Sequence, residues 1–179
     1  MKTKIGSEAL IPNPGLEPFN ILIGKWKTEG SHPYIPGVIL HGRTSFEWME
    51  GGSFILMHSE IDEERIPSGI AILGSDDAIK KFFMLYFDER GVSRKYDVSL
   101  TKNKLTWWRD DPSFSQRFTI LIEKDKMIGT GEMSKEKGSW EKDLSLTFSR
   151  IEKWRSSNLF PQRFIVMKRI SIRIYNDIY

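Results

Sequence analysis

Residues 92–109 read VSRKYDVSLTKNKLTWWR, and this stretch decides the fold. Over 92–100 the side chains alternate, so that Tyr96 and Val98 share an apolar face while their neighbours are polar. Lys102-Asn103 is a turn pair, and the alternation resumes over 104–109. A period of two on both sides of a short turn predicts two antiparallel strands.

The same pattern continues in both directions along the chain. Ten runs alternate in this way, at residues 22–30, 38–50, 53–63, 68–75, 80–88, 92–100, 104–109, 114–123, 127–133 and 139–150. Short turns make consecutive strands antiparallel neighbours. We therefore predict an all-β protein with a closed up-and-down barrel of about ten strands, because closure removes unpaired edges. A two-sheet sandwich is the alternative, and the proline-rich residues 11–18 predict a short helical turn before the first strand.

The composition is that of an ordinary globular protein, with 179 residues, 39% hydrophobic and 28% charged. No cysteine is present, which excludes disulfides, thiolate metal sites and cysteine nucleophiles. No apolar run approaches the roughly 20 residues that a membrane helix needs, and the first residues contain no apolar signal core. We therefore expect a cytoplasmic protein with no membrane partner.

The formal net charge of +3 is concentrated near the C-terminus. Residues 151–179 hold six basic and two acidic side chains, which leaves 21 basic and 22 acidic ones in residues 1–150. The near-neutral part gives no electrostatic reason to expect a nucleic-acid partner. We predict a barrel domain over 1–150 and a basic, apolar tail over 151–179.

The tail permits several interpretations. A basic apolar segment can contact a membrane surface, nucleic acid or a protein partner. It can equally lie outside the working domain and bind nothing. Its bias toward Ile, Lys, Arg, Asn and Tyr is also what out-of-frame translation of AT-rich DNA produces.

Polar side chains on the apolar strand faces are the candidates for a site inside the barrel. Alternation directs Arg94 and Tyr96 inward from the sixth strand and Gln116 inward from the eighth. The same argument gives three further candidates, which are Trp107, Arg109 and His58. No catalytic residue and no metal ligand set is predicted.

A buried arginine is costly unless it is paired. Arg94 and Arg109 therefore either meet protein carboxylates, lie near an open end of the barrel, or await an anionic ligand, since a guanidinium grips a carboxylate with two parallel hydrogen bonds. For His58 a buried structural role competes with ligand contact. Trp26 and Arg150 are expected to form a structural cation–π pair at one end of the barrel.

Several sets of residues carry a family resemblance. They are Pro18-Phe19, Gly24-Lys25-Trp26, Glu29-Gly30, Phe46-Glu47-Trp48 with Gly51-Gly52, residues 88–94 and residues 114–118. Together they resemble the calycins, and within that group the uncharacterised bacterial barrels described as fatty-acid-binding-like. The resemblance covers about residues 16–150 and implies a lipocalin-like barrel with an interior ligand.

The first strand region is also similar to nitrobindin-like haem barrels, in Gly24 to Gly30 followed by Tyr34 and Pro36. That likeness implies ferric haem held by a histidine near the end of the chain. No histidine follows His58 here, so no position matches the ligand. We expect no cofactor. The alternative is a haem-binding barrel that lacks the usual C-terminal histidine ligand.

The sequence thus favours a barrel that binds a small apolar or anionic ligand near Arg94, Tyr96, Arg109 and Gln116. One alternative is an enzyme in which Tyr96 acts as an acid, its pKa lowered by Arg94. Another is an interaction protein that works through its tail. A homodimer is compatible with all three.

Overall fold

The computed structural model describes residues 12–76 and 78–153, which form a closed antiparallel barrel. Its strands are β1 (Gly24–Ser31), β2 (Leu40–Met49), β3 (Phe54–Ile61), β4 (Gly69–Asp76), β5 (Lys81–Asp88), β6 (Ser93–Leu100), β7 (Lys104–Arg109), β8 (Phe114–Glu123), β9 (Lys126–Lys135) and β10 (Glu141–Lys153). Each strand pairs with its neighbours in sequence, and β1 pairs with β10 to close the ring. The predicted up-and-down barrel is confirmed, and the sandwich is wrong.

Alternating burial along the strands builds one core inside the ring. In β1, Trp26 and Thr28 are buried while Lys25 and Lys27 are exposed. In β9, Met127 and Met133 are buried on the same inner phase. The period of two works because successive side chains of a strand point to opposite faces of the sheet.

A 3₁₀ helix over Pro14–Ile21 closes one end of the barrel, where the sequence predicted a helical turn. The Asn13 side chain caps it by accepting the Gly15 amide at 2.9 Å, and Pro14 suits the first helical position. Leu16 and Phe19 are fully buried. Phe19 meets Phe82 of β5 edge to face, with ring centroids 4.9 Å apart.

The expected pair of Trp26 and Arg150 is in contact beside this helix. The Arg150 Cζ atom lies 3.9 Å from the Trp26 ring centroid. Its guanidinium also donates to the carbonyl oxygens of Ile21, at 2.7 Å, and Ile23, at 2.8 Å. The Trp26 indole donates to the Leu22 carbonyl at 2.8 Å. The pair therefore ties the chain that leaves the helix to the last strand.

The last strand continues to Lys153, beyond the predicted boundary at residue 150. Residues 154–179 of the predicted tail lie outside the described residues, so the tail hypotheses stay predictions. Within the described part of the chain, no helix combines the length and the apolarity needed to cross a lipid bilayer.

Candidate ligand-binding cavity

The barrel encloses a cavity of about 590 Å³. Its deep walls are apolar and include Phe46, Met57, Met84, Ile120, Leu146 and Phe148. At the end opposite the helix the cavity reaches solvent, since the lining includes Tyr34, which is 60% exposed. Volumes of this order accommodate one small organic ligand.

Three polar side chains meet on one wall of the cavity. Arg94 Nη1 donates to Gln116 Oε1 at 2.5 Å, and the Tyr96 hydroxyl donates to the same oxygen at 2.8 Å. All three residues line the cavity, and Tyr96 is only 6% exposed. The side chains that alternation directed inward from β6 and β8 are thus brought together.

The short β7 explains how β6 and β8 make this contact across the strand between them. The β6–β7 pairing begins at Asp97 opposite Trp108, so Arg94 and Tyr96 lie beyond the end of that ladder. Gln116 pairs with Arg109, the last residue of β7. Where β7 ends, the β6 side chains reach over to the amide of Gln116.

Arg94 differs from four other arginines near the cavity mouth in its hydrogen-bond partner. Arg65, Arg90, Arg109 and Arg117 each form an ion pair with a carboxylate, respectively Glu63, Asp88, Asp111 and Glu132. Arg94 bonds instead to a neutral amide and lies against the Phe114 ring, 5.0 Å from its centroid. Among the described residues no carboxylate pairs with it.

Arg109 does not belong to the cavity wall, contrary to the sequence prediction. Its Nη2 donates to Asp111 Oδ2 at 2.9 Å, and it is not among the residues that line the cavity. Asp111 follows in the turn after β7 and is itself held by Ser113. Of the three alternatives for Arg109, pairing with a protein carboxylate is therefore the one observed, and the carboxylate is that of Asp111.

The environment of Tyr96 does not lower the pKa of its hydroxyl. Burial raises the pKa of Tyr96 above its ordinary value, and this outweighs the lowering by the hydrogen bond and charge of Arg94. The sequence expectation of a lowered pKa is wrong because desolvation of the phenolate is the larger effect. Tyr96 is a neutral donor at physiological pH.

Trp107 lines the cavity, as alternation along β7 predicts. It stacks on Phe118 with ring centroids 5.0 Å apart and an angle of 15° between the rings. Phe118 in turn lies against Gly129 of β9, where a Cβ atom would come within 2.5 Å of the ring. A glycine is needed here because the aromatic pair occupies the space of a side chain.

His58 is on the outer surface, so its predicted place in the barrel is wrong. Ile55, Met57 and Ser59 form the inner phase of β3, while the His58 side chain is 47% exposed and lies 3.6 Å from Glu60. The strand has apolar residues on both faces. Its sequence therefore fits either phase, and only the pairing with β2 and β4 fixes which face is inside.

Sequence reasoning missed an aromatic and charged group at the end of β5 and in the turn that follows it. The Tyr86 hydroxyl lies 3.3 Å from Asp88 Oδ2, and Arg90 holds the same carboxylate at 2.8 Å. Burial, with the adjacent Asp88 charge, raises the pKa of Tyr86 to about 12. Arg90 holds the pKa of Asp88 below its usual value. Because β5 is apolar on both faces, alternation gave no indication that Tyr86 faces inward.

The mouth carries a second missed group on the loop between β1 and β2. His32 Nε2 lies 2.9 Å from Asp143 Oδ1, and its Nδ1 accepts the Tyr34 amide at 3.1 Å. Lys135 donates to the Tyr34 hydroxyl at 3.3 Å. These contacts hold the loop against β9 and β10 beside the opening.

The histidines do not fit a haem held through an imidazole. Both ring nitrogens of His32 have protein partners, and His41 and His58 lie on exposed outer faces beside Glu29 and Glu60. No histidine therefore presents an unengaged nitrogen to the cavity. In the described residues no cluster of three or more His, Asp or Glu side chains is arranged to hold a metal ion.

Comparison with known proteins gives a likeness of fold. No family model matches the chain, and no curated protein matches it. The barrel is similar to the crystal structure of Rv2717c from M. tuberculosis, with a TM-score of 0.57 and 13% sequence identity. The likeness covers 78% of this chain and 98% of that one. At this identity it establishes a shared fold alone.

Proposed function

We propose that the protein binds one small, mostly apolar ligand that carries a carboxylate or similar anionic group. The ligand's apolar body occupies the inner cavity, and its anionic group meets Arg94. The Tyr96 hydroxyl, whose single proton goes to Gln116, lies beside this position. Gln116 fixes the positions of both donors.

The single observation that carries this proposal is the pairing of Arg94 with a neutral amide. The nearby arginines that pair with carboxylates are already neutralised, whereas Arg94 forms no ion pair with a described carboxylate. Asp143, which also lines the cavity, pairs with His32 instead. Its Nε and Nη2 atoms make no hydrogen bond within the described part of the chain. A carboxylate on a ligand would supply two charge-assisted bonds to these atoms.

The apolar walls support the rest of the ligand description. Side chains such as Met57, Met84 and Ile120 offer no hydrogen bonds, so affinity there comes from removing apolar surface from water. The few polar groups then fix the orientation of the ligand. This division is typical of small-molecule sites.

An enzyme that uses Tyr96 and Arg94 remains the alternative, but the described contacts favour binding. The raised pKa of Tyr96 keeps its proton in place, and the hydroxyl is engaged by Gln116. A general acid or base needs a pKa near the working pH. The described geometry supplies a donor of hydrogen bonds rather than a donor of protons.

We further propose that the chain is a calycin-like binding protein, on the strength of the barrel and of the motifs around Trp26. The likeness to Rv2717c extends over nearly all of that chain, which supports a shared architecture. The proposal assigns no haem, because the three histidines are unsuited to bind it from the cavity.

Binding of matched acids and amides tests the proposal. Dodecanoic acid and phenylpropanoic acid are compared with their primary amides by isothermal titration calorimetry and thermal shift. Each amide keeps the apolar body and removes the charge. We expect the acids to bind more tightly than the amides by tenfold or more, since a hydrogen bond to a charged group contributes about 1.5–3 kcal/mol.

Arg94→Gln should abolish the preference for acids, and Arg65→Gln serves as the matched control. Arg65 also lines the cavity but is paired with Glu63 and 60% exposed. Equal affinity for acids and amides in the wild type, or a preference that survives in Arg94→Gln, would contradict the proposal.

A further inference from the structure

A row of hydroxyl groups lies on the inner faces of β1, β2 and β3. Thr28 Oγ1 lies 2.9 Å from Thr44 Oγ1, and Thr44 Oγ1 lies 3.5 Å from the Ser59 Oγ. Thr28 and Thr44 are buried, at 0% and 2% exposed. Thr44 and Ser59 line the cavity. This row is the main polar feature of an otherwise apolar stretch of wall.

The row faces the Arg94 group across the barrel. In the ring of strands, β1–β2–β3 and β6–β7–β8 are separated by two strands on each side, namely β4 with β5 and β9 with β10. Arg94 and Tyr96 belong to β6 and Gln116 to β8. A ligand in the cavity therefore lies between two polar walls.

The hydrogen-bond count, taken together with burial, favours one direction of the row. A hydroxyl has one donor and two acceptor positions. Thr28 has Thr44 as its side-chain partner among the described residues, and a buried donor without an acceptor is costly. Thr28 therefore donates to Thr44. Thr44 is buried as well, so its own proton would lack an acceptor unless it points toward Ser59, which is only half-buried. The Ser59 proton is left over.

Ser59 thus has a proton to donate and lines the cavity. Its contact with Thr44 is long at 3.5 Å, so the Ser59 hydroxyl is only weakly held within the row. No acceptor for this proton is present among the described residues. An oxygen atom of a ligand in the cavity can accept this proton.

From this geometry we infer that the ligand carries a second oxygen, a keto or hydroxyl group, which accepts from Ser59. The inference rests on the proposed function, because it presupposes an acid bound at Arg94. The ligand class is then an oxo- or hydroxy-substituted apolar carboxylic acid. Ser59 determines specificity, and Thr28 and Thr44 orient its proton.

Titration with dodecanoic acid and two positional series, the oxododecanoic and hydroxydodecanoic acids, tests the inference. When the substituent is at one particular carbon of the fatty acid, both the oxo and the hydroxy acid should bind about threefold to tenfold more tightly than dodecanoic acid. The oxo acid should gain as much as the hydroxy acid, since an acceptor alone is required. Ser59→Ala should remove the gain and leave the affinity for dodecanoic acid within about twofold.

The variants separate this inference from the proposed function. Arg94→Gln should weaken all the acids alike, Ser59→Thr should keep the gain, and Ser45→Ala on the outer phase of β2 should change nothing. The inference is overturned if no substituted acid binds more tightly, or if the gain survives in Ser59→Ala. Dependence on Arg94 without such a gain overturns the inference alone. If no acid binds the wild type, both fail.

Discussion

Arg94 donates to Gln116 across the end of β7, so a cation in the cavity wall has a neutral amide as its partner. An amide positions a guanidinium without cancelling its charge. A carboxylate at that site could also hold Arg94, but it would neutralise the guanidinium. Under our proposal, glutamine at this position leaves the Arg94 charge available to an anionic ligand.

Gln116→Glu should form an ion pair with Arg94 and so neutralise the charge proposed to bind the ligand. The substitution is nearly isosteric and places a carboxylate oxygen where Arg94 and Tyr96 now donate. We expect affinity for dodecanoic acid to fall about tenfold to a hundredfold while affinity for its amide stays within about twofold. Calorimetry measures both, and an unchanged acid affinity would argue against the role given to the Arg94 charge.

Gly129→Ala should reduce the space in the cavity without unfolding the barrel. The added methyl group would lie 2.5 Å from the Phe118 ring, which Trp107 supports on another side. Displacing the ring narrows the binding space, so we expect the affinity for phenylpropanoic acid to drop severalfold. Thr130→Ala, on the outer phase of the same strand, is the control. Equal affinities in the two variants would show that this wall does not bound the ligand.

Tyr86 should make the stability depend on pH in the alkaline range. Its pKa is raised from 10.0 to about 12 in the folded protein, chiefly by burial. The folded state keeps the phenol proton that the unfolded chain begins to lose near pH 10. The contribution is therefore complete below pH 10 and is lost as the pH rises through about 12.

Urea unfolding at several pH values between 9 and about 12 measures this dependence. The wild type should lose stability more steeply over this range than Tyr86→Phe, which has no phenol at that site. Parallel curves for the two proteins would mean that Tyr86 keeps an ordinary pKa in the barrel.

Much of the fold follows from local sequence. Ten short alternating runs with turn residues between them leave few topologies, and the observed strands match those runs. Arg94, Tyr96 and Gln116 were identifiable because each is polar on an apolar phase. The site could be predicted to that extent from β6 and β8 alone.

The remaining features depend on contacts between distant segments. His58 was assigned inward because β3 is apolar on both faces, and Tyr86 was overlooked for the same reason on β5. The partner of Arg109 lies in the adjoining turn, and strand alternation does not extend to turns. The order of Thr28, Thr44 and Ser59 arises from strand pairing, which no single strand displays.

Arg150 should matter more for stability than its counterpart Arg117. Each stacks on a tryptophan, at 3.9 Å from Trp26 and 4.3 Å from Trp140, and each is close to a carboxylate. The Arg150 side chain is 9% exposed, whereas that of Arg117 is 42% exposed. Arg150 also donates hydrogen bonds to the carbonyl oxygens of Ile21 and Ile23, at and just after the C-terminal end of the 3₁₀ helix.

We expect Arg150→Met to lower the free energy of unfolding by about 2–3 kcal/mol, through the loss of charged hydrogen bonds and a buried cation–π contact. Arg117→Met should lower it by less than about 1 kcal/mol, because exposed pairs are screened by solvent. Urea unfolding of both variants gives the comparison. Losses of equal size would refute the structural role assigned to the Trp26–Arg150 pair.

The most direct measurement of the central claim is native mass spectrometry of the full chain isolated from its own host. We expect one bound organic acid on the wild-type protein, released on denaturation and absent from Arg94→Gln prepared in the same way. A wild-type protein that carries no small molecule, or an Arg94→Gln variant that carries the same one in the same amount, would contradict it.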